Sequence, residues 1–66
     1  MTTYRISFRY QVNPATWQDD AKLVFPNWYG EPAEYDPITN TIVITFDTPQ
    51  TPVDQGPLVR VELISQ

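Results

Sequence analysis

Apolar and polar residues alternate strictly along the first part of the chain. From Tyr4 to Val12 every second side chain is apolar, so one face of an extended strand is hydrophobic and the other polar. This pattern predicts a first strand over that range. Arg5 and Arg9 lie on its polar face, where we expect cross-strand acidic partners such as Glu34 or Glu62.

The strongest strand signal is a run of β-branched and aromatic residues from Thr41 to Phe46. Turn-forming residues come directly before it. Asp36 can accept hydrogen bonds from amides two or three residues on, Pro37 presets φ, and Asn40 tolerates the left-handed conformation. These residues predict a β-hairpin. If position 40 is left-handed, Asn40→Gly is expected to be tolerated.

The turn also predicts the register of this hairpin. A loop over residues 37–40 makes three cross-strand pairs: Asp36 with Thr41, Tyr35 with Ile42, and Ala33 with Ile44. One face then carries four side chains suited to a core: Tyr35, Ile42, Ile44 and Phe46.

The segment between these strands is harder to assign. It opens with an asparagine-proline pair, as many helices do, but Asp19 and Asp20 fall at the wrong end for the dipole of a helix that starts there. We therefore expect at most one short helical turn near residues 14–20. Trp17 is interpreted as a lid over one end of the core. Residues 21–25 alternate over a short range and predict a second strand.

Prolines delimit the remaining elements. Pro32 begins a strand over residues 32–36 and places it at a sheet edge. Prolines and a glycine between Pro49 and Pro57 exclude regular structure and predict an extended arm, which serves a function or covers a sheet edge. The last strand, 58–65, has apolar residues on both faces, which suggests a central or oligomer-contacting position.

Together these elements predict one small all-β domain over residues 1–66. Its strands cover about 4–12, 21–25, 32–36, 41–47 and 58–65, and they are expected to form an antiparallel, partly open barrel or a two-layer sandwich. The need to hide sheet edges favours pairing of the first strand with the last. The expected core consists of Ile6, Phe8, Tyr10, Val12, Leu23, Phe25, Tyr35, Ile42, Ile44, Phe46, Val59, Val61 and Leu63.

Composition narrows the possible chemistry. The 66 residues include no cysteine and no histidine, so thiol catalysis, zinc-thiolate sites and the commonest general base have no candidate residue. The acidic pairs Asp19 with Asp20 and Glu31 with Glu34 lack a nucleophile to work with. We predict no catalytic residue, no metal ligand and no cofactor, and hence a protein that is not an enzyme.

Charge and hydropathy bear on partners and location. Four basic and eight acidic residues leave a net charge of -4, the wrong sign for holding a phosphate backbone, so direct nucleic-acid binding is not expected. No signal-peptide pattern is visible, and no apolar run approaches the roughly 18 residues that span a bilayer. These features predict a soluble protein with a cytoplasmic or virion-associated location.

The expected partners are proteins, including further copies of this chain. Our first hypothesis is a non-catalytic structural module that docks on a larger assembly, as an accessory subunit or a virion decoration or connector protein. One alternative is a carbohydrate-binding module that offers Trp17, Trp28, Tyr29 and Tyr35 to sugar rings, and another is an acidic inhibitor of a nucleic-acid-binding protein. The candidate partner-binding residues lie on loops or carry aromatic groups, and at least one of the adjacent aromatics Trp28 and Tyr29 is expected to be exposed. They are Trp17, Trp28, Tyr29, Pro49, Pro52, Val53 and Pro57.

Overall fold

The computed structural model describes all 66 residues, Met1 to Gln66. Its regular elements are β1 (Thr2–Phe8), α1 (Trp17–Val24), β2 (Ala33–Asp36), β3 (Thr41–Phe46) and β4 (Val59–Ser65). The four strands form one antiparallel sheet in the order β2-β3-β1-β4. The regular structure is therefore mostly sheet, as the all-β prediction requires. Five strands and a barrel or two-layer sandwich are wrong, because the single sheet is open and one helix packs on it.

The segment predicted as the second strand is a helix. Trp17, Ala21 and Val24 recur at helical spacing, and the last two are buried against the sheet. Because α1 begins at Trp17, Asp19 and Asp20 lie in its first turn, where the helix dipole favours acids. The sequence prediction failed because it started the helix at residue 14. A window of five residues also does not distinguish a period of 2 from a period of 3.6.

The predicted hairpin is confirmed in both register and turn geometry. The observed pairs are Asp36 with Thr41, Tyr35 with Ile42, and Ala33 with Ile44. Asn40 has a φ of 57°, and the Asp36 carboxylate accepts a hydrogen bond of 2.9 Å from the Ile38 amide. Local turn chemistry therefore sets this part of the fold.

β1 ends at Phe8, four residues before the predicted end of the first strand. Beyond that point the side chain of Asn40 replaces a strand partner. Its Nδ2 donates to the carbonyls of Phe8 (3.0 Å) and Tyr10 (2.6 Å), and its Oδ1 accepts from the Val12 amide at 3.2 Å. Val12 remains buried, but Tyr10 turns outward and donates to Asp20 Oδ1 at 3.0 Å.

The connections give the sheet its order. β1 pairs with both β3 and β4, which confirms the expected pairing of the first strand with the last. β1, α1 and β2 form a split β-α-β unit, because β3 lies between the two parallel strands. β3 and β4 are also parallel to each other, so the chain between them must cross the length of the sheet. An irregular segment, residues 47–58, makes this crossover.

The core lies between one face of the sheet and a layer made by α1 and the irregular segments. It contains Tyr4, Ile6, Phe8, Val12, Ala21, Val24, Phe25, Trp28, Ile42, Ile44 and Phe46. Tyr35, Val59 and Val61 are partly buried against it. Three predicted core residues are exposed instead: Tyr10, Leu23 and Leu63. Tyr10 is exposed because β1 ends before it, and Leu23 is exposed because its segment is a helix and not a strand. Leu63 lies on β4, an edge strand with a neighbour on one side only.

Candidate docking surface

The loop after α1, residues 25–32, turns its two adjacent aromatic side chains in opposite directions. Trp28 is 7% exposed, whereas Tyr29 is 86% exposed, which confirms that at least one of them faces solvent. The backbone between them is well anchored. Trp28 Nε1 donates to the Glu31 carbonyl at 3.0 Å, and the Tyr29 amide donates to Glu31 Oε1 at 2.8 Å. Tyr29 is therefore an exposed aromatic residue on a loop that is already ordered.

Trp28 belongs to the core, in contrast to its predicted place on a contact surface. Its ring centroid lies 5.8 Å from that of Trp17, and the Trp17 ring stacks on Tyr35 at 6.1 Å with an angle of 16° between planes. Trp17 is half-buried in this stack. It closes one end of the core, as the sequence suggested. Three of the four aromatic residues considered for sugar binding thus pack on one another and do not present an open platform.

The proline-rich arm, residues 49–57, crosses the helical side of the sheet and is tied to the end of α1. The Val53 amide donates to the Val24 carbonyl at 2.9 Å, and Gln55 Nε2 donates to the Leu23 carbonyl at 2.9 Å. These bonds satisfy carbonyl groups that a helix leaves free at its C-terminal end. Tyr4 holds the start of the arm, since its hydroxyl donates to the Gln50 carbonyl and accepts from the Gln50 amide.

The predicted contact residues thus fall into three groups. Tyr29, Val53, Pro49 and Pro57 are exposed, Trp17 and Pro52 are half-buried, and Trp28 is buried. The prediction missed Leu23, which is 55% exposed because it lies off the stripe that α1 turns to the sheet. A helical interpretation of residues 17–24 would have found it.

Three exposed apolar residues lie on or beside the C-terminal half of α1. Tyr29 lines a shallow depression of about 290 Å³ together with Gln18 and Lys22. Leu23 is the residue after Lys22 in α1. The Val53 amide of the arm donates to the carbonyl of Val24, the residue after Leu23. We call Tyr29, Leu23 and Val53 the docking surface.

The opposite face of the sheet is uncovered and mostly polar. It forms an open depression of about 700 Å³ whose lining includes Glu34, Asp36, Glu62 and Arg5. Arg5 Nε lies 3.7 Å from Glu62 Oε1, which confirms one of the acidic partners expected for the arginines of the first strand. An exposed pair of this kind contributes little to stability.

One member of each acidic pair considered for catalysis, Asp20 and Glu31, accepts a hydrogen bond from another residue. Partial burial, and then the hydrogen bond to Asp20 and its charge, raise the pKa of Tyr10 above its ordinary value of 10.0. Glu31 holds the loop that carries Tyr29, as described above. No group of three acidic side chains is close enough together to hold a metal ion.

Comparison with protein-family models, with curated proteins and with solved structures gives no match for this chain. Its one helix is too short and too polar to cross a membrane.

Proposed function

We propose that the chain is a non-catalytic interaction module that docks on a larger protein assembly, as an accessory subunit or a virion decoration or connector protein does. The observation that carries the proposal is Tyr29, which is 86% exposed on a loop fixed by hydrogen bonds. Aromatic side chains supply large contact areas and are enriched at the energetic centres of interfaces. A loop that is ordered before binding also loses less conformational entropy when the complex forms.

Leu23 and Val53 extend this contact area. They are 55% and 45% exposed, and the arm that carries Val53 is anchored to the end of α1. Lys22 and Gln18 supply a polar rim beside Tyr29. An apolar centre with a polar edge is the usual composition of a protein interface.

The proposal is tested by isolating the complex from the native source with a tagged chain and then comparing variants against the purified partner. Tyr29→Ala and Val53→Ala are expected to weaken binding, each by about tenfold or more if the residue is an energetic centre. Ile38→Ala is the matched control. Ile38 is an apolar side chain that is 92% exposed, but it lies at the other end of β2, in the hairpin turn.

All three variants should keep the circular dichroism of the parent chain, because none of these side chains belongs to the buried core. Equal binding by the parent, Tyr29→Ala and Val53→Ala would contradict the docking surface. Binding lost only in Ile38→Ala would move the contact to the hairpin turn.

The two alternative functions have weaker support. For carbohydrate binding, Tyr29 is the one aromatic residue of the four with a freely exposed ring, and a sugar that quenched tryptophan fluorescence would revive that hypothesis. For acidic inhibition, the uncovered sheet face carries Glu34, Asp36 and Glu62, but Arg5 lies among them. Salt-dependent retention by a basic nucleic-acid-binding protein would support it.

A further inference from the structure

β4 is an edge strand whose outer side pairs with no other strand, and its one outward backbone bond within the chain joins the Val59 amide to the Gly56 carbonyl at 3.4 Å. It is hydrogen-bonded to β1 on one side only. The Arg9 amide donates to the Leu58 carbonyl at 2.9 Å, and Phe8 lies opposite Val59, so this pair occupies a non-hydrogen-bonded site of the ladder. Alternate residues of β4 therefore point their backbone groups away from β1. They are Val59, Val61 and Leu63.

The other edge of the sheet is better protected than β4, whose two charged residues, Arg60 and Glu62, are opposite in sign. β2 has only four residues, follows Pro32, and carries Glu34 and Asp36 on its uncovered face. Short length, proline and charge are the usual means of blocking strand addition at an edge. β4 has seven residues and no proline. A bulge at Ile64, which has no partner in β1, bounds its regular part to residues 59–63.

We infer that β4 pairs with β4 of a second copy of this chain, antiparallel and centred on Val61, so that the two sheets become continuous. The regular part of the strand reads valine, arginine, valine, glutamate, leucine. At equal distances on either side of Val61 lie two apolar residues, Val59 and Leu63, and two residues of opposite charge, Arg60 and Glu62. In the pairing centred on Val61, Val59 faces Leu63 of the second copy and Arg60 faces Glu62 of the second copy.

The backbone agrees with this register. Val61 points its amide and carbonyl outward, so it can exchange both hydrogen bonds with Val61 of the second copy. The Val59 carbonyl can accept from the Leu63 amide of the second copy, while the Val59 amide keeps its long bond of 3.4 Å to the Gly56 carbonyl of its own chain. Arg60 and Glu62 then occupy the non-hydrogen-bonded sites, where opposite side chains come closest. The apolar residues meet on the helical side of the sheet and the charged residues on the uncovered side.

Charge excludes the neighbouring registers. Pairing centred on Arg60 would place two arginines directly opposite each other, and pairing centred on Glu62 would place two glutamates there. Within one chain Arg60 has no acidic partner, since the one ion pair is that of Arg5 with Glu62. The second copy would supply the missing carboxylate. This interface is separate from Tyr29, Leu23 and Val53, so the inference stands or falls independently of the proposed function.

The inference is tested by the solution mass of the chain over a range of concentrations, measured by sedimentation equilibrium. The parent chain is expected to show a reversible monomer–dimer equilibrium. Arg60→Glu should weaken dimerisation by about tenfold or more, because both symmetry-related pairs then bring two acids together. Lys22→Glu makes the same change in net charge on α1 and should leave the mass unchanged.

A mixing experiment identifies the register itself. Arg60→Glu and Glu62→Arg should each be largely monomeric alone, and an equimolar mixture should form a heterodimer, since acids then face arginines at both sites. Circular dichroism of each variant checks that it is folded. In the parent chain, the Val61 amide should also gain protection from hydrogen exchange as concentration rises.

Three results would overturn the inference. The first is a parent chain that stays monomeric at every concentration. The second is an Arg60→Glu variant that dimerises as strongly as the parent, and the third is a pair of folded variants, Arg60→Glu and Glu62→Arg, that do not associate when mixed. In the second case the chain would form dimers through a different surface.

Discussion

Substitution of Asn40 gives the sharpest test of how this small fold is stabilised. The turn alone predicts that Asn40→Gly is tolerated, but the contacts of the Asn40 side chain predict that it lowers the free energy of unfolding. Its φ of 57° is a conformation that glycine adopts without strain, so Asn40→Gly would relieve about 1 kcal/mol of backbone strain. The substitution also removes the side chain that bonds to Phe8, Tyr10 and Val12. That side chain fixes the path of the chain beyond β1.

The magnitude follows from these opposing effects. Three hydrogen bonds at about 1 kcal/mol each outweigh the relieved strain, so Asn40→Gly should lower the free energy of unfolding by about 2 kcal/mol. A chain of this length has a total stability of about 3–10 kcal/mol. The melting temperature should therefore fall by about 8–16 °C.

The assay is urea unfolding followed by circular dichroism, together with the matched variant Asn40→Ala. Alanine loses the same hydrogen bonds and keeps the strain, so it should be about 1 kcal/mol less stable than the glycine variant. The midpoint should shift without a change in the slope m, because the same surface is exposed on unfolding. If Asn40→Gly is as stable as the parent chain, the side-chain bonds contribute nothing net and this reasoning is refuted.

Three further perturbations test the core, the arm and the one shifted pKa. Trp28→Ala should lower the free energy of unfolding by about 3–5 kcal/mol in urea unfolding, whereas Tyr29→Ala should stay within about 0.5 kcal/mol of the parent. Similar stability of the two variants would contradict their burial. Tyr4→Phe should lower the free energy of unfolding by about 1–2 kcal/mol, because the amide and the carbonyl of Gln50 in the arm both lose the Tyr4 hydroxyl as their partner. An unchanged midpoint in urea would mean that this contact does not hold the arm. The raised pKa of Tyr10 means that the folded state resists its ionisation, so its contribution to stability is complete below about pH 10 and is lost as pH rises through the folded pKa. An ultraviolet titration should show one late phenol that is absent from Tyr10→Phe, and identical titrations would remove the contact with Asp20.

Much of the candidate site could be predicted from sequence, and the failures have a common cause. Two adjacent aromatics on a loop predicted that at least one of Trp28 and Tyr29 is exposed, and the proline-rich arm predicted Val53 as a contact residue. Trp28 was misplaced because nothing local distinguishes the member of such a pair that turns inward. Leu23 was missed because the assigned period was 2 where the chain has a helix. The free edge of β4 was not predictable, since apolar residues on both faces fit a central strand as well as one that pairs with a second copy.

The sequence by itself determined the parts of this protein that depend on neighbouring residues. The register of the β2–β3 hairpin, the left-handed turn at Asn40 and the inward face of β1 all follow from turn chemistry and alternation over a few residues. Tertiary structure alone decided where β1 ends, since a side chain 32 residues away bonds to the Phe8 carbonyl. It also decided that the arm completes the end of α1 and that β4 is an edge, because long-range pairing depends on where the whole chain finds room to bury its apolar surface.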